Sequence, residues 1–120
     1  RLVGFTPPSR LPDLFLAGDL FVCASQWPEP LARVHYEAMA AGLPIITTDR
    51  GGNCEVVAEG VNGLIAAPYY DPDAFARQMQ RLLEDPHLRG ELGRRGRALA
   101  VAQYSWQRVA RELWPVLTGG

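Results

Sequence analysis

Lysine is absent: all twelve basic residues among the 120 are arginine. Schiff-base chemistry and a lysine phosphate clamp are therefore excluded from this chain, and any lysine a reaction needs must come from outside it. There are two cysteines, Cys23 and Cys54, and no Cys-x-x-Cys spacing, so neither a disulfide framework nor a zinc ribbon is indicated. Cys23 stands in an apolar run and reads as a buried thiol, which fits a reduced, cytoplasmic setting. No apolar stretch approaches the ~20 residues that span a bilayer, and no signal peptide opens the sequence. With a formal net charge of −1 there is no basic excess either, which argues against nucleic acid as a partner. A starting Met is also missing, and Leu2 to Phe5 reads as a strand already under way, so the expectation is a piece of a longer protein.

What is present is a chain that is 48% hydrophobic and long enough for a single core, read as one domain over residues 1–120. Apolar runs alternate with helical patterns, the signature of βαβ units forming a parallel sheet. The expected fold is α/β, a Rossmann-like parallel sheet of about four strands with flanking helices. Strands are expected at Leu2–Phe5, Leu20–Ala24, Leu43–Thr48 and Leu64–Ala66. Between them lie a short helix near Arg10–Ala17, a helix within the stretch Glu29–Gly42, and a helical turn around Glu55–Val57. Asp71 is an N-cap with Pro72 at the first helical position, and Phe75, Met79, Leu82 and Leu83 form a core-facing stripe. A weaker helix runs from His87 to Gln103, where Arg89, Arg94, Arg95 and Arg97 read as a solvated face. Ser105 caps a last helix whose stripe of Trp106, Val109, Ala110, Leu113 and Leu117 reads as core packing.

In open parallel sheets, ligands sit beyond the carboxyl ends of the strands. Here those ends lead into Thr6-Pro7-Pro8, Ser25 to Glu29, Asp49-Arg50-Gly51-Gly52 and Ala66-Ala67-Pro68. The second loop feeds the N-terminus of the helix in "EPLARVHYEAMAAG", where free backbone amides and the macrodipole favour an anion. Arg33 in that first turn opposes the dipole by about 0.3–1 kcal/mol, and it precedes Glu37 at i, i+4, the weaker orientation for a helical pair. Two readings stay open: Arg33 answers a bound diphosphate, or it pairs with Glu29, Glu37 or another carboxylate. Glu29 and Glu37 have seven residues between them and are either two surface carboxylates or hydroxyl-binding groups on either side of an anion. His35 reads as a packed or surface histidine rather than a metal ligand, and Gly51-Gly52 as a turn requiring positive φ or a loop touching substrate.

Several ordered motifs carry a resemblance. The run Ala24 to Pro30, then Glu37-Ala38-Met39-Ala40-Ala41-Gly42-Leu43-Pro44-Ile45-Ile46, Gly51-Gly52-Asn53-Cys54-Glu55-Val56-Val57, Asn62-Gly63-Leu64 and the tail Tyr104-Ser105-Trp106 are similar to the C-terminal half of family four retaining glycosyltransferases, which have the GT-B fold. The wording "EPLARVHYEAMAAG" most resembles spore-coat-associated bacterial members. The resemblance implies a truncated C-terminal half of a GT-B fold, whose parent transfers a sugar from a nucleotide-diphosphate sugar, UDP- or GDP-linked, with retention and without a metal or other cofactor. It implies that Glu29 contacts the transferred sugar as the catalytic-site carboxylate and that Glu37 binds the ribose. Amides of Leu31, Ala32 and Arg33 would cradle the phosphates, with Phe5 and Thr6 bordering the base. Family members usually carry Phe-Gly where this chain has Leu31-Ala32, which changes how closely the backbone approaches the donor sugar. The cationic clamp and the N-terminal acceptor domain would belong to the missing part, so the isolated fragment is expected to be inactive. The implied location is the cytoplasm, or the spore coat. Two rival readings are a non-catalytic coat component that keeps the fold, and a nucleotide-sugar epimerase.

Overall fold

The computed structural model describes residues 1–28, 30 and 33–119. A single 3-10 turn, Pro8–Arg10, leads into α1 (Leu11–Ala17), followed by β1 (Phe21–Val22), α2 (Arg33–Ala40), β2 (Ile45–Thr48), α3 (Asn53–Val56), β3 (Gly63–Ala66), α4 (Pro72–Glu84), α5 (Pro86–Gln103) and α6 (Trp106–Thr118). The described sheet has three strands in the order β1-β2-β3, all parallel, with Phe21 opposite Ile45 and Ile46 opposite Leu64. The doubly wound α/β reading holds, but the expected first strand does not. Leu2–Phe5 is not a strand: Gly4 has φ +76°, which breaks an extended run, and Leu2 and Phe5 are exposed with no neighbouring strand to pair with.

All four residues of β2 are buried, as expected of a strand paired on both sides and covered on both faces. Period two divides their contacts. Ile45 joins Ala38 and Met39 of α2, Val56, Val57 and Ala100 of α5 in one cluster. Ile46 joins Leu64, Ala66, Ala74 and Leu82 of α4, and Leu92 of α5 in the other. Each fully buried aliphatic side chain here contributes about 1.5–3 kcal/mol relative to an exposed one. The two clusters thus fix α2 on one face and α4 on the opposite face.

Local signals set the helix ends. Asp71 accepts from the Asp73 amide and Asp85 from the Leu88 amide, both at 2.9 Å, while Ser105 accepts from the Arg108 amide. Gly42, at φ +77°, closes α2 as the sequence requires. The close approach of α5 to that turn depends on glycine too, since a Cβ on Gly93 would lie 2.3 Å from the Gly42 carbonyl oxygen. Arg97 reaches across to donate to the Ala40 carbonyl at 2.8 Å, placing a cation where the α2 dipole is negative.

Two apolar stripes differ from expectation. On α4, Ala74 and Leu82 are buried but Met79 and Leu83 are largely exposed. The reason is geometric: α4 meets the sheet through Ala74, Phe75, Gln78 and Leu82, with Gln78 donating to the Ile65 carbonyl at 2.8 Å, and Met79 and Leu83 fall outside that contact. α6 buries nothing, and Trp106 and Trp114 are 78% and 68% exposed. Its stripe is amphipathic, yet none of it packs into either cluster, so the core-packing reading of those tryptophans is wrong for this chain. The arginine-rich face of α5 is solvated as expected at Arg94, Arg95 and Arg97, whereas Arg89 is half-buried and donates to the Leu82 carbonyl at 3.1 Å. Glu91 bonds Arg94 and lies 2.9 Å from Arg95, and these partners hold its carboxyl below the ordinary range.

Gly93→Ala is expected to destabilise the fold by about 1–3 kcal/mol through backbone overpacking. Gly90→Ala, whose Cβ would meet only the movable end of Arg94, is expected to be neutral or slightly stabilising. Denaturant titration of the two variants checks this.

Candidate functional site

Two features stand out, one at the carboxyl ends of the strands and the other along α2, from Arg33 to the turn that enters β2. The first is a polar network that ties the loops together. Thr48, the last residue of β2, donates its hydroxyl to the Ser25 carbonyl at 2.8 Å and accepts from the Asn53 side-chain amide at 3.0 Å. Because the hydroxyl proton is committed to Ser25, the Asn53 amide must present its nitrogen to Thr48. Its oxygen is left buried without a hydrogen-bond partner. Gly51 between them takes φ +54°, so the turn reading of the glycine pair is correct at that position. Arg50 completes the tie: its Nε donates to the Gln26 carbonyl at 3.2 Å, and its guanidinium lies 4.3 Å from the centre of the Tyr69 ring. The loops after β1, β2 and β3 are thereby joined through a single side chain.

The second feature is a groove of about 490 Å³ between α1 and α2, in the size range of small-molecule sites. One wall is apolar, formed by Pro8, Leu11, Pro12, Phe15 and Leu16. The other is the outer face of α2, with Arg33, Glu37, Ala40 and Ala41, and Arg97 also lines the groove. From Arg33 to Ala40 the helix rises about 10 Å. The order along it is cation, carboxylate, then two small residues.

Among the residues expected from sequence, Arg33 and Glu37 are brought together here. Their side chains are 3.8 Å apart and 87% and 41% exposed, a loose surface pair of small energetic weight. Glu29, Leu31 and Ala32 lie outside the described residues. Phe5 is exposed and Thr6 half-buried, and neither lines the groove. His35 is buried and bonds the Thr47 hydroxyl at 2.7 Å, with Phe21 edge-on to its ring, so it is a packed histidine. No group of three metal-ligating side chains occurs among the described residues, and no described helix is long and apolar enough to cross a membrane.

Sequence reasoning missed the wall of α1 and the Arg50–Tyr69 contact. Pro12 and Phe15 were legible as a helix but not as a facing surface. For Arg50 the available signal was its place at the carboxyl end of β2, which marks a ligand position without naming a partner. Tyr36, whose ring is tilted 46° to that of Tyr104 with centres 4.2 Å apart, has its phenol pKa raised by burial, then by Tyr104 and the Glu55 carboxylate.

Comparison with known proteins places these features in context. The family model described as "Glycosyl transferases group 1" matches residues 1–99. Spore coat protein SA of Bacillus subtilis is 50% identical over 114 residues, covering 95% of this chain and 30% of that protein. The putative glycosyltransferase YtcC of the same organism is 47% identical, over 91% of this chain and 27% of its own length. The chain therefore spans about 30% of the curated relatives it matches. Among solved structures, Anabaena Alr3699/HepE in complex with UDP and glucose superposes with a TM-score of 0.92 at 28% identity, over all of this chain and 32% of that one.

Thr48→Val removes both bonds made by the hydroxyl and leaves the buried Asn53 amide without a partner. A loss of about 1–3 kcal/mol is expected, measured by chemical denaturation, with the strand-end loops becoming the first amides to exchange.

Proposed function

The chain belongs to the group 1 glycosyl transferases, and on that premise we propose that it is the donor half of an enzyme that transfers a sugar from a UDP-linked donor with retention at the anomeric carbon. The observation that carries this reading is the α1–α2 groove, whose cation, carboxylate and apolar wall follow one another as the parts of a nucleoside diphosphate do. In this reading Glu37 accepts hydrogen bonds from the ribose hydroxyls, Arg33 faces the diphosphate, and the base lies between the small residues of α2 and the wall of Pro8, Leu11 and Pro12. Backbone amides of Leu31, Ala32 and Arg33 take phosphate oxygens, as the family resemblance implies. Glu29 holds the transferred sugar. The bond from the anomeric carbon to the diphosphate breaks, the acceptor oxygen bonds to the same face, and the acceptor proton leaves with the nucleotide. Amides and guanidinium groups stabilise the departing charge.

UDP is favoured over GDP because Alr3699/HepE was solved with UDP and with UDP-glucose. The acceptor-binding domain and further cations belong to the rest of the parent, so the 120-residue chain alone binds nucleotide and does not turn it over. A cytoplasmic enzyme is the leading reading. The name of spore coat protein SA favours a second one, a coat component that keeps the fold without turnover.

Titration of UDP into isotope-labelled protein is expected to shift amides of α2 and of the 3-10 turn. Glu37→Ala is expected to weaken binding about tenfold or more, from the loss of charge-assisted bonds. Arg94→Ala, on the solvated face of α5, is expected to leave affinity unchanged. Shifts confined to α5 would overturn the donor-site assignment, whereas UDP binding without transfer in the full-length protein would favour the coat component.

A further inference from the structure

Arg50 differs from the other arginines at the strand ends. Arg33 is highly exposed and loosely paired with a carboxylate, but Arg50 is half-buried and has no ion-pair partner among the described residues. It is nevertheless held in place. Nε is used on the Gln26 carbonyl, and the guanidinium carbon lies over the Tyr69 ring, 4.3 Å from its centre. A guanidinium has five N–H donors, so four remain on its two terminal nitrogens, and neither nitrogen makes a hydrogen bond within the described structure. A fixed cation with its fork unoccupied is prepared for a planar or tetrahedral anion, because the entropy of ordering the side chain has already been spent.

Its position says which anion. The nucleotide groove lies on the α2 face of the sheet, where Ile45 and His35 point. Arg50 leans the other way, onto Tyr69, which precedes α4 and the face where Ile46 and Leu64 point. A shallow cavity of about 330 Å³ beside it is lined by Gln26 and Tyr69, the two residues that hold Arg50, together with Ala24, Tyr70 and Asp71, and Arg50 itself stands outside that lining. On the reading above the donor diphosphate sits at the first turn of α2 with Arg33, and Arg50, held by Gln26 and Tyr69, is a second cation at the strand ends, available to a separate charged group.

We propose that Arg50 binds an anionic group, a phosphate or a carboxylate, on the acceptor that receives the sugar, with Tyr69 as the positioning residue that keeps the guanidinium in place. The acceptor label rests on the donor-site reading above, while the anion site itself does not. An arginine serving only as a loop staple would leave ligand discrimination unaffected.

The test uses the full-length protein with glucose 6-phosphate as probe, glucuronate as its carboxylate counterpart, glucose as neutral control, and UDP for the donor site. The expected result is that glucose 6-phosphate or glucuronate binds better than glucose. Arg50→Gln should abolish that preference, a loss of about tenfold or more, while UDP affinity stays within about twofold. Arg50→Lys, which keeps the charge but not the fork, should retain part of the preference, and Tyr69→Leu should weaken it without removing it. Thermal melts confirm that the variants fold. The stronger of the two charged probes identifies the group. Equal binding of charged and neutral probes, or a preference unchanged in Arg50→Gln, would overturn the proposal even with UDP bound. A parallel loss of UDP affinity would assign Arg50 to the donor diphosphate and overturn it as well. If UDP fails to bind while the Arg50-dependent preference persists, the donor-site reading falls and the anion site stands.

Discussion

Everything in this fold hangs on β2 being paired on both sides and buried on both faces. Four residues, Ile45–Thr48, supply the register for β1 and β3 and one anchor to each hydrophobic cluster. Their alternation places α2 and α4 on opposite faces, and the strand's carboxyl end places the Thr48 hydroxyl where it can link two loops. Isoleucine at 45 and 46 provides the apolar burial, and threonine at 47 and 48 provides the polar anchors. Thr47 holds His35 beneath α2, and Thr48 holds the β1 loop and Asn53. A single short strand therefore carries both the stability of the core and the geometry of the site.

A glycine of α5 has the complementary role. Gly93 lets that helix touch the α2–β2 turn, since a Cβ there would run into the Gly42 carbonyl. That contact brings Arg97 to the end of α2, so that the groove is bounded by a cation which also closes a helix. A bulkier residue at 93 would move the back of the groove as well as loosen the core.

Much of this was legible in the sequence wherever a local rule and the tertiary demand agree. The β2 strand, the Asp71 and Ser105 caps and the Gly42 terminus follow from composition and spacing, and the structure has them, while His35, read as packed or surface, is packed. The failures share one cause. Leu2–Phe5 and the α6 stripe are apolar patterns whose partners are not among the described elements, and an apolar pattern specifies a wish to be buried, not the surface that buries it. The α4 stripe failed more mildly, because the contact with the sheet buries Leu82 and leaves Leu83 outside it. At the site, Arg33 and Glu37 were readable from helical position, whereas the α1 wall required knowing which helices become neighbours. Arg50 was readable as a position only, since its partners Gln26 and Tyr69 are brought to it by the parallel order of the strands.

A chain without lysine must meet anions with arginine, and here the two arginines at the strand ends are held differently. Arg33 projects from the first turn of α2, where the dipole opposes it, and its contact with Glu37 is long and exposed. Such a side chain is free to follow a ligand that arrives and leaves with its charge. Arg50 is hydrogen-bonded to the β1 loop at Gln26 and lies over Tyr69 in the β3 loop, so its field is fixed before any ligand binds. A mobile cation suits a leaving group whose charge grows during the reaction, because the side chain can close on it as the bond breaks. A fixed cation suits recognition, because discrimination depends on a position that does not adjust to the wrong ligand. On the donor-site and anion-site proposals, one chemical task, binding negative charge, is divided between an exposed, loosely paired side chain and one that is held.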